Sequence, residues 1–188
     1  MIHIKELISI LPINCRNGEL NLLTFDDMEW YIKNCKKPYY EEFLDFKFST
    51  DIHDNKLRES IYNMIISYKL KIGSGYEARL LLKDTKTNTV YGGCTVFERN
   101  GFKDLEVAYF ILPKYQGNNL GTEMLSKVCS ALKNSNIPFE KILLTIRYDN
   151  KASLKVADKV GFKYLSEVDG KYKKNIIMYI DRTSINES

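Results

Sequence analysis

Between Leu105 and Arg147 the sequence switches from strand to helix and back to strand within one short passage. Leu105–Leu112 is an apolar, strand-like run. Leu120–Lys133 then places Leu120, Met124, Leu125, Val128 and Leu132 on one helical face, and Lys141–Arg147 returns to a strand-like run. A strand, a helix and a strand over this length imply a parallel, right-handed crossover. The joint between the first strand and the helix is Tyr115-Gln116-Gly117-Asn118-Asn119-Leu120-Gly121-Thr122. A glycine-rich turn at a helix N-terminus gathers unpaired backbone N–H groups at the positive end of the helix dipole. That is an anion site suited to phosphate.

The segments around this passage complete a mixed sheet. A short strand is predicted at Glu19–Leu23, followed by a helix through Met28, Trp30 and Tyr31 that Thr24 or Asp26 caps. An aromatic-rich stretch holds Tyr39, Tyr40, Phe43, Phe46 and Phe48. Leu57, Ile61, Met64, Ile65 and Tyr68 then recur at helical spacing. Tyr76–Lys83, Thr89–Glu98 and Lys103–Leu112 read as an antiparallel meander, with Asn100-Gly101 as the second turn and Pro113 ending the third strand. Lys151–Val160 is a further helix, and Phe162–Val168 with Lys171–Asp181 forms a hairpin turned at Asp169-Gly170. No repeat or linker interrupts the chain, so residues 1–188 are expected to form one domain.

Composition narrows the class. With 188 residues, 44% of them hydrophobic, the chain can bury a sizeable core. No apolar run reaches the length of a membrane span, and Met1–Leu11 is interrupted by His3, Lys5 and Glu6. A cytoplasmic protein without a membrane partner is expected. Cys15, Cys35, Cys94 and Cys129 lack zinc or disulfide spacing and read as small buried thiols. The net charge of +4 is modest, and the lysine clusters (Lys33, Lys36, Lys37; Lys171, Lys173, Lys174) read as solvated faces rather than a nucleic-acid footprint. His3 and His53 have no assignable partner.

Ligands of open α/β sheets bind at the carboxyl ends of central strands, where Gln116–Thr122 and Tyr148–Ser153 both lie. Each amide bond to a charged oxygen contributes roughly 1.5–3 kcal/mol. The turn has neither a Gly-Lys-Ser/Thr ending nor a dinucleotide fingerprint, which argues against ATP or GTP hydrolysis. Asn150 is placed as a helix cap, a ligand contact or both.

At these residues the chain resembles the GNAT superfamily of acyl-CoA-dependent N-acetyltransferases. Members carry Gln/Arg-x-x-Gly-x-Gly/Ala before the central helix, matched by Gln116-Gly117-Asn118-Asn119-Leu120-Gly121, with Asn119 in place of the usual glycine. They also carry Asn-x-x-Ser closing in Gly-Phe, matched by Asn150…Ser153 and Gly161-Phe162. Glu106-Val107-Ala108-Tyr109-Phe110 with Thr122-Glu123 resembles the subgroup of ribosomal-protein-alanine N-acetyltransferases. The similarity spans roughly Gly18–Asp181 in element order, with a motif-bearing core at residues 89–181.

The resemblance implies a single-domain α/β (α+β) GNAT-like fold: a mixed central sheet of about six to seven strands flanked by about four helices. It implies acetyl-CoA as co-substrate and a V-shaped opening between the two central parallel strands. Backbone groups of Phe110, Ile111 and Leu112 would pair with the pantetheine arm. Gln116, Gly117, Asn118, Asn119, Leu120, Gly121 and Thr122 would hold the pyrophosphate, with Asn150 and Ser153 beside it.

Glu106 is the candidate general base, through water, or else an ordinary strand carboxylate. Ser153 is the candidate donor to the leaving thiolate, or else plain capping chemistry. Ala157 stands where many relatives place the tyrosine that protonates the thiolate. Tyr109 lines the acceptor site or packs in the core, and the Tyr39–Phe48 aromatics wall the acceptor pocket or pack. The acceptor is expected to be a primary amine, on a protein N-terminus or a small molecule; a homodimer is compatible with the sequence. The alternatives are a non-catalytic acyl-CoA-binding or regulatory module and, more distantly, a nucleic-acid-binding domain.

Overall fold

The computed structural model of the chain describes residues 4–35, 54–70, 77–99, 101, 103–170 and 173–183. Five helices run through them: α1 (Ile4–Ser9), α2 (Met28–Cys35), α3 (Asp54–Leu70), α4 (Leu120–Lys133) and α5 (Lys151–Val160). Eight strands form one sheet: β1 (Ile13–Cys15), β2 (Gly18–Leu22), β3 (Glu77–Lys83), β4 (Val90–Arg99), β5 (Asp104–Ile111), β6 (Lys141–Arg147), β7 (Lys163–Asp169) and β8 (Lys174–Asp181). Their order is β1-β2-β3-β4-β5-β6-β8-β7. Every pairing is antiparallel except β5 with β6, where the predicted crossover lies.

One strand and one helix exceed the sequence-based count. β1 spans three residues and α1 six, too short for either period to show in a sequence. β8 lies between β6 and β7, so the terminal hairpin inserts its second strand against the centre. That placement depends on tertiary packing and has no local signal.

Strand alternation divides the sheet into two faces. On one, Ala78, Leu80, Leu82, Val96, Leu105 and Val107 share a core with Met124, Leu125, Val128 and Leu132 of α4, whose stripe also buries Leu120. Each of these leucine, valine and methionine side chains contributes about 1.5–3 kcal/mol by leaving water. On the other, Leu81 packs with Tyr31 and Ile32 of α2 and with Ile61 and Ile65 of α3. Thr24 caps the entry to α2: the Asp27 carboxylate accepts from its amide at 2.9 Å and its hydroxyl at 2.7 Å. Lys83 reaches the same buried carboxylate at 3.0 Å. The Tyr39–Phe48 aromatics, His3, His53, Lys36 and Lys37 lie outside the described residues.

The sheet is continuous on the β4 side of β5 and interrupted on its β6 side. β4 and β5 pair from Gly92–Ile111 to Arg99–Asp104. β5 and β6 pair only at Leu105–Ile142 and Glu106–Leu143, after which they diverge. Gly92 and Gly93 sit opposite Ile111 and Phe110, beyond the last β5–β6 pairing. A Cβ at Gly92 would lie 2.3 Å from the Phe110 carbonyl oxygen, and one at Gly93 would lie 2.4 Å from that of Leu80. Neighbouring backbone therefore occupies the space a side chain would need.

Gly92→Ala should lower unfolding stability by about 3 kcal/mol through that clash, measured by denaturant titration; a wild-type midpoint would contradict the close approach. Burial pushes the Cys129 thiol up to about 12 and Cys94 higher still, from an ordinary 9.0. Below pH 9 both states keep these protons; above it the unfolded chain ionises first. Stability should therefore fall as pH climbs from 9 towards 12, and fall less in Cys129→Ala, as read from urea midpoints across that window.

Candidate active site

The parting of β5 and β6 opens a cavity of about 1260 Å³ that reaches both faces of the sheet. Its walls are the free edge of β5, the turn before α4, the end of β6 and the first turns of α5. The Leu112 amide donates to the Tyr91 carbonyl at 2.9 Å, so the backbone groups of Leu112 face β4. By alternation the amides and carbonyls of Ile111 and Tyr109 face the opening, while those of Phe110 face β4. The Ile111 carbonyl accepts from Gln116 Nε2 at 2.9 Å. Of the predicted strand trio, Ile111 alone turns its backbone into the opening; Phe110 contributes its side chain to the wall.

Past Ile111, Pro113–Tyr115 makes a single 3₁₀ turn, and Gly117 and Asn119 then adopt left-handed φ values of 81° and 60°. Asn119 is the N-cap residue of α4, and the first bond into the helix is Glu123 N–H to the Asn119 carbonyl at 3.1 Å. Among the described residues, the amides of Gly117, Asn118, Asn119, Leu120, Gly121 and Thr122 donate to no protein acceptor. Asparagine in the left-handed region thus does what the usual glycine would do. Gly121 is open: a Cβ there would meet Ile111, Tyr109 and Val156 at ordinary contact distances of 3.6 to 3.8 Å.

Across the opening, Asn150 caps α5, its Oδ1 accepting from the Ser153 amide at 3.1 Å. Arg147 holds Asp149 at 2.8 Å and 3.0 Å, and Lys173 also pairs with it. The Arg147 hydrogen bond first, and that of Lys173 second, keep the Asp149 carboxyl far below the usual range. Lys174 also faces Glu167 at 3.8 Å, so Lys173 and Lys174 are both drawn into ion pairs, while Lys171 lies outside the described residues.

Glu106 and Tyr109 approach from opposite faces. Glu106 is 5% exposed, lines the cavity on the α2–α3 face, and pairs with Arg99 Nε. Tyr109 lies towards α4 and α5, with its hydroxyl 3.5 Å from the Ser153 carbonyl. Burial pushes its phenol up to about 12, so it stays protonated at any working pH. Ser153 is half-buried on the cavity wall beside it, whereas Ala157 is fully buried in the core. Sequence reasoning missed Arg99, Lys155 and Lys159, which also line the cavity. Arg99 was findable as the diagonal cross-strand neighbour of Glu106 in a hairpin. Among the described residues no cluster of three or more side chains could hold a metal, and no helix is long and apolar enough to cross a membrane.

Because residue 119 must hold a left-handed backbone, Asn119→Gly should leave stability within about 0.5 kcal/mol, whereas Asn119→Val should cost about 1–2 kcal/mol. Thermal melts of the two variants check this, and equal melting temperatures would refute it.

Residues 19–163 match the family model described as an acetyltransferase (GNAT) domain. No curated protein matches in sequence. Among solved structures, a spermidine N-acetyltransferase from Vibrio cholerae in complex with CoA and spermine is similar, with a TM-score of 0.72 and 18% identity over 90% of this chain and 98% of that one. A ribosomal L7/L12 alpha-N-protein acetyltransferase in complex with coenzyme A gives a TM-score of 0.72 at 15% identity, covering 91% and 97%. The ribosomal-protein-S5-alanine acetyltransferase from Vibrio fischeri gives 0.70 at 13%, covering 93% and 98%. These likenesses bear on the fold; the family model spans most of the chain and carries its resemblance at Gln116–Gly121 and Asn150–Phe162 into membership. The chain belongs to the GNAT acetyltransferases.

Proposed function

We propose that this protein transfers an acetyl group from acetyl-CoA to a primary amine, on a protein N-terminus or a small molecule, by direct attack within a ternary complex. The observation that carries this is the juxtaposition of a free strand edge with a cluster of unpaired amides. The Ile111 and Tyr109 backbone offers an extended arm the bonds of an added strand. The amides of Gly117–Thr122 offer a pyrophosphate its donors. The free thiols at Cys15, Cys94 and Cys129 suit a cytoplasmic setting.

Transfer needs a neutral amine, a polarised thioester and a leaving thiolate. An α-amine near pKa ~8 is partly neutral at working pH, whereas a lysine amine near ~10.4 needs strong deprotonation. Glu106 takes the amine's proton, through water, from the α2–α3 side of the sheet. The leaving thiolate, whose thiol titrates near ~8.5, needs little more than a hydrogen bond. Ser153 supplies it from the α5 side, which leaves base and acid on opposite faces of the thioester. The buried methyl of Ala157 takes no part.

Free-thiol release from acetyl-CoA across an amine panel tests the proposal. Turnover is expected with at least one amine. Glu106→Gln should lower kcat about 10²-fold or more while leaving the KM for acetyl-CoA within about threefold. Heat protection by CoA with no turnover of any amine, and no change in Glu106→Gln, would instead establish an acyl-CoA-binding module.

A further inference from the structure

Arg99 ends β4 and leans diagonally across the hairpin onto Glu106. Its Nε is spent on that carboxylate, which is buried, but the Arg99 side chain is 48% exposed and lines the cavity. Its two Nη groups take no other partner among the described residues. A guanidinium fixed at one edge presents its remaining donors in a plane, the geometry that bonds a carboxylate.

The charges around it point the same way. Arg99, Arg147, Lys155 and Lys159 line the cavity against Glu106 and Asp169. Arg99 already answers Glu106, and Arg147 is occupied by Asp149. Lys155 and Lys159 are exposed on α5. A polyamine would bring further positive charges into this wall and find one carboxylate, Asp169, without an ion pair among the described residues. Like charges so placed repel, and long polycations need several acidic partners to offset that.

Resting on the transfer reading above, we infer that Arg99 selects the acceptor: its free guanidinium edge binds a carboxylate carried a few ångströms from the reacting amine. The acceptor class is therefore an amine that carries a carboxylate. That carboxylate can belong to a free amino acid or to an acidic side chain near a peptide N-terminus. Both present the same chemistry to Arg99. Bonding the acceptor through the residue that also grips Glu106 sets the amine beside the base. Arg99 thus couples recognition to positioning.

The test compares matched acceptors with the intact protein and acetyl-CoA: a free amino acid against its amide, a peptide with an acidic second residue against its glutamine counterpart, and spermidine. Wild type should favour the carboxylate member of at least one pair by tenfold or more in kcat/KM, chiefly through KM, and should leave spermidine the poorest acceptor. The pair that shows the preference identifies the source. In Arg99→Gln the ratio within that pair should fall towards one, whatever happens to kcat; Arg99→Lys should keep part of it. A merely structural role would lower both members equally. Equal turnover of both members by wild type, a ratio unchanged in Arg99→Gln, or spermidine as the best acceptor would each overturn the inference while leaving acetyl transfer intact. Failure to turn over any amine would overturn both.

Discussion

Two backbone pairings, Leu105–Ile142 and Glu106–Leu143, hold the two halves of the sheet together at the centre. Everything functional depends on the pairing stopping there. Had β5 and β6 continued in register, the edge at Tyr109 and Ile111 would be satisfied by β6, and the turn before α4 would face a closed sheet. The tight β4–β5 ladder anchored at Gly92 and Gly93 carries β5 away, while the β6–β8 ladder keeps β6 on its own course. The opening is a compromise between two well-formed half-sheets rather than a defect in one.

The same divergence places the chemistry. Because β5 alternates, one strand delivers Glu106 to one face and Tyr109 to the other within a few residues. The face under α4 and α5 carries the larger apolar core beside the cavity. The opposite face carries the Arg99–Glu106 pair and a smaller core around Leu81. In the proposed reaction the first face serves the co-substrate and the second, more polar face serves the acceptor.

Much of this was legible in the sequence because it is local. The α4 stripe from Leu120 to Leu132, the crossover into Lys141–Arg147 and the Asn150 cap depend on spacing within one segment, and the structure has them where spacing puts them. β1 and α1 were not legible, being shorter than the periods that would announce them. The insertion of β8 beside β6 was hidden because strand order is decided by which apolar faces meet. At the site, the glycine turn gave its position but not its conformation. That Asn119 holds φ at 60° depends on a side chain's tolerance, which composition alone leaves open. Arg99 escaped notice because its meaning lies in the hairpin register, not in its own neighbourhood.

The free stretch of β5 also bears on how the protein avoids misassembly. Unpaired strand edges recruit other strands, and sheets usually defend their outer rims against this. β7, the outer rim here, exposes Tyr164, Leu165 and Val168, yet it carries a bulge between Tyr164 and Ser166 and charges at Lys163, Glu167 and Asp169. The edge at Tyr109 and Ile111 needs no such defence, because it lies inside the sheet with β6 diverging beside it. Only something as slender as a single extended chain can slide into that gap; a foreign sheet cannot bring its rim alongside. Interior placement thus lets the fold keep a sticky edge permanently available without making it a seed for aggregation.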